Sequence, residues 1–148
     1  LYGQYTKQRI AFLKANPHIS EYASENLTFA MLNEVIASDS RFNVLEVLCH
    51  VPLRQVVKDT SLMNKYELKY ATNYSTHLDF LIINKVTKLP ILAIETDGYT
   101  YHNDQTVQHE RDLMKDHIMS NYGLPLLRLS TKGSGEKEKV LSMLLQLT

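Results

Sequence analysis

A single cysteine, Cys49, stands in a chain of 148 residues, so neither an internal disulfide nor a cysteine-rich zinc site is open to it. Neither sign of charge is in excess, with Lys+Arg and Asp+Glu at 16 each. A protein that grips nucleic acid over its whole surface carries a clear surplus of Lys and Arg. The balance gives that class no support, although a neutral total can hide a local basic face beside an acidic pocket. No apolar stretch approaches the roughly 20 residues of a membrane-spanning helix. No signal peptide is visible, and no repeat or low-complexity tract interrupts the chain. Cytoplasmic placement is the resulting expectation. The chain starts at Leu1 rather than Met, which suggests a fragment of a larger protein.

What is present is ordinary for a globular chain: 44% hydrophobic and 22% charged residues. The length fits one domain of about 100–150 residues with room for one core. Cys49 lies in the apolar run VLEVLCHV, which suits a buried, inert thiol.

The segment from about Tyr2 to Ala15 has mixed helical character and ends at the turn signal Asn16-Pro17. A second helix follows, with Leu27, Met31, Leu32 and Val35 recurring at i, i+4, i+5 and i+8 beside Phe29 and Ile36. Ser24 is its candidate N-cap. Phe42 to Val51 reads as a strand closed by Pro52. The lysine-bearing stretch from Leu53 to Tyr74 suits a short helix and a loop. HLDFLII (77–83) and ILAIETD (91–97) then read as two strands joined by a polar hairpin connection. A helix from about Asp104 to Asn121 stops at Gly123, LPLLRLS (124–130) is a buried strand, and a final helix follows Gly133-Ser134-Gly135. Its Val140, Leu141, Met143, Leu144, Leu145 and Leu147 are expected to cover the sheet. This order of elements predicts an α/β sandwich with one mixed sheet flanked by helices.

The acids on the hairpin carry the chemistry. Alternate residues of a strand share a face, which groups Asp79 with Leu81 and Ile83, and Glu95 and Asp97 with Ile91 and Ala93. If Ile83 opposes Ile91, Asp79 faces Glu95, with Cβ atoms roughly 4.5–5.5 Å apart. Asp97 lies one step further along, although Asp-Gly is also a common turn. Carboxylates so close repel one another, and burial makes the repulsion worse. A divalent cation relieves it, and Mg²⁺ binds through one or two carboxylates while keeping several waters. Such an ion activates water and stabilises charge on a phosphoryl oxygen. On the following helix Gln108, Arg111, Asp112 and Lys115 recur at i, i+3, i+4 and i+7. Lys115 could enter the acidic pocket and Arg111 could hold a phosphate; without the hairpin the same face is a solvated row of ion pairs. Tyr99 and Tyr101 could pack on a nucleobase or on the protein rim.

The run Asp79…Glu95-Thr96-Asp97-Gly98…His102, followed by Gln108-x-x-Arg111-Asp112-x-x-Lys115-Asp116 and by Gly123-Leu-Pro-Leu-Leu-Arg128, resembles a branch of the PD-(D/E)XK nuclease superfamily. That branch holds the relatives of very-short-patch-repair endonucleases and a bacterial group with a Glu-x-Asp-Gly strand end, often found C-terminal to superfamily 1 helicases or other ATPases. The resemblance covers about residues 24–130. It implies a restriction-endonuclease-like α/β/α sandwich and metal-dependent hydrolysis of DNA, as an endonuclease or nickase, with Mg²⁺ or Mn²⁺ as cofactor. It also implies a helicase or ATPase domain in the same full-length chain; RNA remains an alternative substrate. On it, Asp79 and Glu95 match the metal-binding acids and Thr96 the position whose backbone carbonyl completes the metal shell. Glu25 matches a supporting glutamate of the first helix, with Glu34 as its substitute, and His102 a general acid or phosphate contact. The superfamily's usual lysine two residues after the acid is Asp97 here, and Lys115 is the candidate to replace it.

Two other readings stay open. One is a catalytically inactive nuclease-like module that binds nucleic acid or docks onto a helicase. The other is an interaction domain that presents the C-terminal Leu/Met helix to a partner.

Overall fold

A computed structural model describes residues 23–97, 105–130 and 135–148. In chain order these form helix α1 (Ala23–Ala37), a 3-10 turn (Ser40–Phe42), strand β1 (Leu45–Pro52), short helices α2 (Leu53–Val56) and α3 (Lys65–Thr72), strands β2 (His77–Asn84) and β3 (Pro90–Asp97), helix α4 (Gln105–Asn121), strand β4 (Leu126–Ser130) and helix α5 (Glu136–Leu147). The helix expected over Tyr2–Ala15 lies outside the described residues. The strands make one sheet in the order β1-β2-β3-β4. β1 pairs with β2 and β2 with β3 in antiparallel fashion, and β4 is parallel to β3. A parallel pair needs a crossover, and α4 supplies it. Among the described residues no helix is long and apolar enough to cross a membrane.

Each face of the sheet buries its own core. On one face Leu32 and Val35 of α1 and Val140 and Leu144 of α5 pack on Phe80, Ile82, Leu92 and Ile94. On the other, Leu53 of α2, Ala71 of α3 and Ile118 and Met119 of α4 pack on Leu81, Ile83 and Ala93. Alternation along β2 and β3 feeds both cores, and helices on both faces make the chain an α/β sandwich. Within α5 the stripe is narrower than expected: Val140 and Leu144 are buried, but Leu145 and Leu147 are exposed.

Several local expectations shift for identifiable reasons. Helix α1 already includes Ala23, so Ser24 lies within the helix rather than at its N-cap. Its buried stripe runs through Leu32 and Val35 and leaves Leu27 exposed at 72%. β1 starts at Leu45 because the Asp39 side chain accepts from Arg41 N and winds the chain into the 3-10 turn, which plugs Phe42 into the core. Between Leu53 and Tyr74 there are two helices, not one. The hairpin register breaks between Ile82 and Ile83: Ile82 pairs with Leu92 but Ile83 with Pro90. Ile91, expected opposite Ile83, is therefore a bulge residue and packs toward the α1/α5 core, not on the face of Ala93.

α3 is tied down by a capping box, in which Asn64 Oδ1 accepts from Glu67 N at 2.8 Å and Glu67 Oε1 accepts from Asn64 N at 3.0 Å. The other oxygen of Glu67, whose side chain is 5% exposed, meets His117 Nδ1 of α4. His117 holds the Glu67 carboxyl below the usual range against the opposing effect of burial. A depressed carboxylate stabilises the fold above its ordinary pKa, and the contribution is lost as pH falls through the folded value. We expect His117→Ala to lower stability by about 1–3 kcal/mol near neutral pH, with the deficit shrinking in acid, as read by urea denaturation at a series of pH values.

Candidate active site

β2 begins and β3 ends at the same edge of the sheet. Carried one residue outward, the Phe80–Ile94 pairing sets Asp79 across from Glu95. The two acids are laced together through the backbone. Asp79 N donates to Glu95 Oε2 at 3.1 Å, while Thr96 N and Oγ1 donate to Asp79 Oδ2 at 2.9 and 3.2 Å. Glu95 is 4% exposed. An ionised group that deep needs a partner, and Lys115 provides it. Its Nζ donates to Glu95 Oε1 and, at 2.8 Å, to the carbonyl of His77.

Helix phase explains how Lys115 arrives. Ile118 and Met119, three and four residues on, are buried against the sheet, and Lys115 belongs to the same stripe, with 12% of its side chain exposed. Gln108 and Arg111, grouped with it on sequence spacing, are exposed. Gln108 donates to Asp112 Oδ1 at 2.9 Å rather than facing the acids. Arg128, paired with Glu95 across the β3–β4 ladder, fastens α4 to the sheet. Its Nη2 donates to Asp116 Oδ1 at 2.8 Å and lies 3.4 Å from the carbonyl of Asp112.

The two carboxyls are driven apart electrostatically. Burial pushes Glu95 up to about 7, against the pull of the Lys115 ammonium and with a further push from Asp79. Burial works to raise Asp79 as well. The hydrogen bonds with His77, Glu95 and Thr96 N, together with the charge of Lys115, outweigh it and hold Asp79 well below the usual carboxylate range. The pair is thus asymmetric: the ionised form is favoured at Asp79 and disfavoured at Glu95. Lys115 is raised: burial opposes its charge, but Glu95, Tyr70 and Asp79 outweigh that effect. Such separation of neighbouring titrating groups is common at functional sites.

Two histidines complete the mouth of the site. His77 Nε2 lies 3.6 Å from Asp79 Oδ1, and its Nδ1 is 3.1 Å from the Ser75 carbonyl. The Asp79 carboxylate raises its pKa despite partial burial. His50 falls between the pairs Cys49–Phe80 and Val51–Leu78 and takes a left-handed φ of 52°, a conformation that is strained for a side-chain-bearing residue. Its ring tilts against that of His77 at 5.2 Å. Its Nε2 is 3.2 Å from Glu25 Oε2 but out of line for a hydrogen bond, leaving that buried oxygen without one. Cys49 is half-buried, and burial together with the Glu25 charge pushes its thiol up to about 11, so it stays protonated and unreactive.

The candidate residues therefore divide. Asp79, Glu95, Thr96 and Lys115 come together, and Glu25 reaches the same edge through His50. Glu34 does not: it is exposed and pairs with Lys137 of α5 at 2.7 Å. Asp97 ends β3, its backbone paired with Ser130; its side chain, Tyr99, Tyr101 and His102 lie outside the described residues. His50 and His77 were missed from sequence. The alternation that groups Asp79 with Leu81 also places His77 on the Asp79 face, so a signal for His77 was present. Nothing in the local pattern marks His50.

A family model described as Protein of unknown function (DUF2726) matches residues 21–147. The chain belongs to this family. No curated protein and no solved structure matches it. The DUF2726 match spans every element of the sandwich described above, including both strands that bear the acids and the helix that bears Lys115.

Among the described residues no group of three or more His, Cys, Asp or Glu side chains is arranged to hold a metal ion. Two carboxylates with water and a backbone carbonyl are a sufficient donor set for Mg²⁺. Among the described residues Asp79 Oδ1 has His77 Nε2 near it, at 3.6 Å, and it keeps acceptor capacity. The donor chemistry of Asp79 and Glu95 fits a hard divalent cation.

A carboxyl whose folded pKa is raised destabilises the fold as pH climbs from its ordinary value of 4.5 toward 7. Over that window the stability of Glu95→Gln relative to wild type should improve with pH, by on the order of 2–3 kcal/mol. Parallel slopes of unfolding free energy against pH for the two proteins would contradict the raised pKa.

Proposed function

We propose that this chain is a divalent-metal-dependent nuclease domain of the PD-(D/E)XK type that hydrolyses phosphodiester bonds in DNA as an endonuclease or nickase. The observation that carries the reading is the seating of Lys115, from the helix after the hairpin, on a buried glutamate paired with a second acid across two strands. This residue set suits metal-assisted phosphodiester hydrolysis: hard oxygen donors and a lysine ammonium in one water-poor pocket. A helicase or ATPase partner in the same full-length protein rests on the resemblance alone.

Asp79 and Glu95 would hold a Mg²⁺ or Mn²⁺ ion, with the Thr96 carbonyl as the further protein donor. When bound, the ion supplies Lewis acidity at the phosphoryl oxygen and an acidified water. Asp79 is ionised and ready to bind. Glu95 must release its proton, so affinity for the cation rises with pH toward neutrality. Lys115 neutralises Glu95 in the absence of the cation. Freed from that contact, its ammonium can hold the attacking water or the charged phosphate. His77 stands beside Asp79, partly exposed, where its Nε2 can donate to a phosphate oxygen.

One observation favours a second reading. Lys115 already neutralises Glu95, so the acid pair can persist without a cation, as a catalytically inactive nucleic-acid-binding module would require. Calorimetric titration with Mn²⁺ separates the two. Heat that disappears in Asp79→Ala fits a metal centre, and no heat in wild type fits the inactive module.

Incubated with Mg²⁺ or Mn²⁺ and supercoiled, linear or branched DNA, the wild type should cleave. Asp79→Ala should abolish cleavage, and Lys115→Ala should lower the rate by about 10²–10³-fold. Equal cleavage by wild type and Asp79→Ala would remove the site from consideration.

A further inference from the structure

The α2–α3 segment carries a surface that the carboxylate site does not use. Along α3, Lys65 and Lys69 form one row and Tyr66 and Tyr70 a second row beside it, each at i, i+4 spacing. Both lysines are exposed, Tyr66 is 66% exposed and Tyr74, just past the helix, is 82% exposed. The Lys65 ammonium lies over the Tyr66 ring at 5.0 Å. Tyr66 also lines, with Leu113 and Met114 of α4, a shallow cleft of about 320 Å³.

The α2–α3 segment itself is basic. Between residues 53 and 74 the cations are Arg54, Lys58, Lys65 and Lys69, against Asp59 and Glu67. Glu67 is buried and engaged with His117, and it lines the floor of the same cleft as Tyr66 rather than pairing with the exposed lysines. None of the four cations has a carboxylate partner among the described residues. In a chain with no net charge, this is a local basic strip set with exposed aromatic rings.

The strip leads to the acids. Tyr70 is half-buried where the charges of Lys115 and Glu95 both act on its hydroxyl. From Tyr74 the chain makes a turn, in which Asn73 Oδ1 accepts from Ser75 N and Oγ at 3.0 and 2.8 Å, and enters β2 at His77, two residues before Asp79. Tyr74 thus stands at the edge of the sheet that carries the carboxylate pair.

We propose that Lys65, Lys69, Tyr66 and Tyr74 form a binding track for single-stranded DNA that delivers a strand to the Asp79–Glu95 site. The proposal names the substrate class of the nuclease reading and rests on that reading for the strand's destination. Spaced cations match the phosphates, and exposed tyrosines offer stacking faces to successive bases. A duplex keeps its base faces stacked inside and presents nothing for such rings to cover, so a single strand, or the unpaired arm of a branched DNA, is the occupant that fits.

The test is fluorescence anisotropy on the whole chain in EDTA, with a labelled oligothymidine and, for comparison, a matching duplex and a matching RNA. Wild type should prefer the DNA single strand. Tyr66→Ala and Tyr74→Ala should each weaken it on the order of ten-fold, whereas Tyr66→Phe and Tyr74→Phe should retain it. The double variant Lys65→Gln/Lys69→Gln should lower the slope of log affinity against log salt by about 1.4. All four side chains are exposed, and circular dichroism verifies that the variants fold. No strand binding by wild type, unchanged binding in Tyr66→Ala/Tyr74→Ala, or tighter binding of the duplex or the RNA would overturn the proposal. Because EDTA removes catalysis, the two ideas fail separately. Strand binding without metal-dependent cleavage defeats the nuclease reading, and cleavage with the track variants unimpaired defeats this one.

Discussion

The ion pair between Lys115 and Glu95 is the constraint on which the rest of this edge of the molecule depends. An isolated charge at the depth of Glu95 would be driven to neutrality. A lone lysine in the same place would lose its proton or leave. Together they stay, and each fixes the element that carries it. Through the same ammonium, Lys115 also holds the carbonyl of His77, so one side chain joins α4, the start of β2 and the end of β3. Removing one partner of a buried pair is more damaging than replacing both, because the survivor must then either carry an unpaired charge in a poor solvent or give up its ionised form.

Asp79 profits from this arrangement. Backbone N–H and hydroxyl donors from Thr96 hold one of its oxygens, and the nearby ammonium favours its charge. One acid is thereby fixed as ionised and the other is left near its titration point. The asymmetry comes from where the donors point, since both acids are substantially shielded from water.

The strands and the acid pair were legible in the sequence because alternation in HLDFLII and ILAIETD fixes faces without any tertiary knowledge. The juxtaposition of Asp79 and Glu95 was legible for a subtler reason: the bulge at Ile91 lies between the pair and the hairpin turn, so it displaces Ile83 but not Phe80 and Ile94. Helix phase was harder. Both Leu27 in α1 and Arg111 in α4 fit an i, i+4 stripe on paper, but several stripes coexist on any helix. Only the contacts of Val35 or of Ile118 and Met119 with the sheet decide which one turns inward. The α3 segment carried a usable cue in Asn64-x-x-Glu67, a capping-box spacing, hidden by the lysines around it. His50 was not legible, since its position depends on a left-handed backbone at one residue of a strand.

The bulge has a wider consequence. In a hairpin, a one-residue slip of the ladder turns every side chain to the opposite face. Here the spare residue separates the register beside the Asn84–Leu89 connection from the register that aligns the acids, like a slip joint between turn and ladder. An insertion in that connection is therefore expected to leave the far end of the same two strands, where the acids lie, in its present alignment.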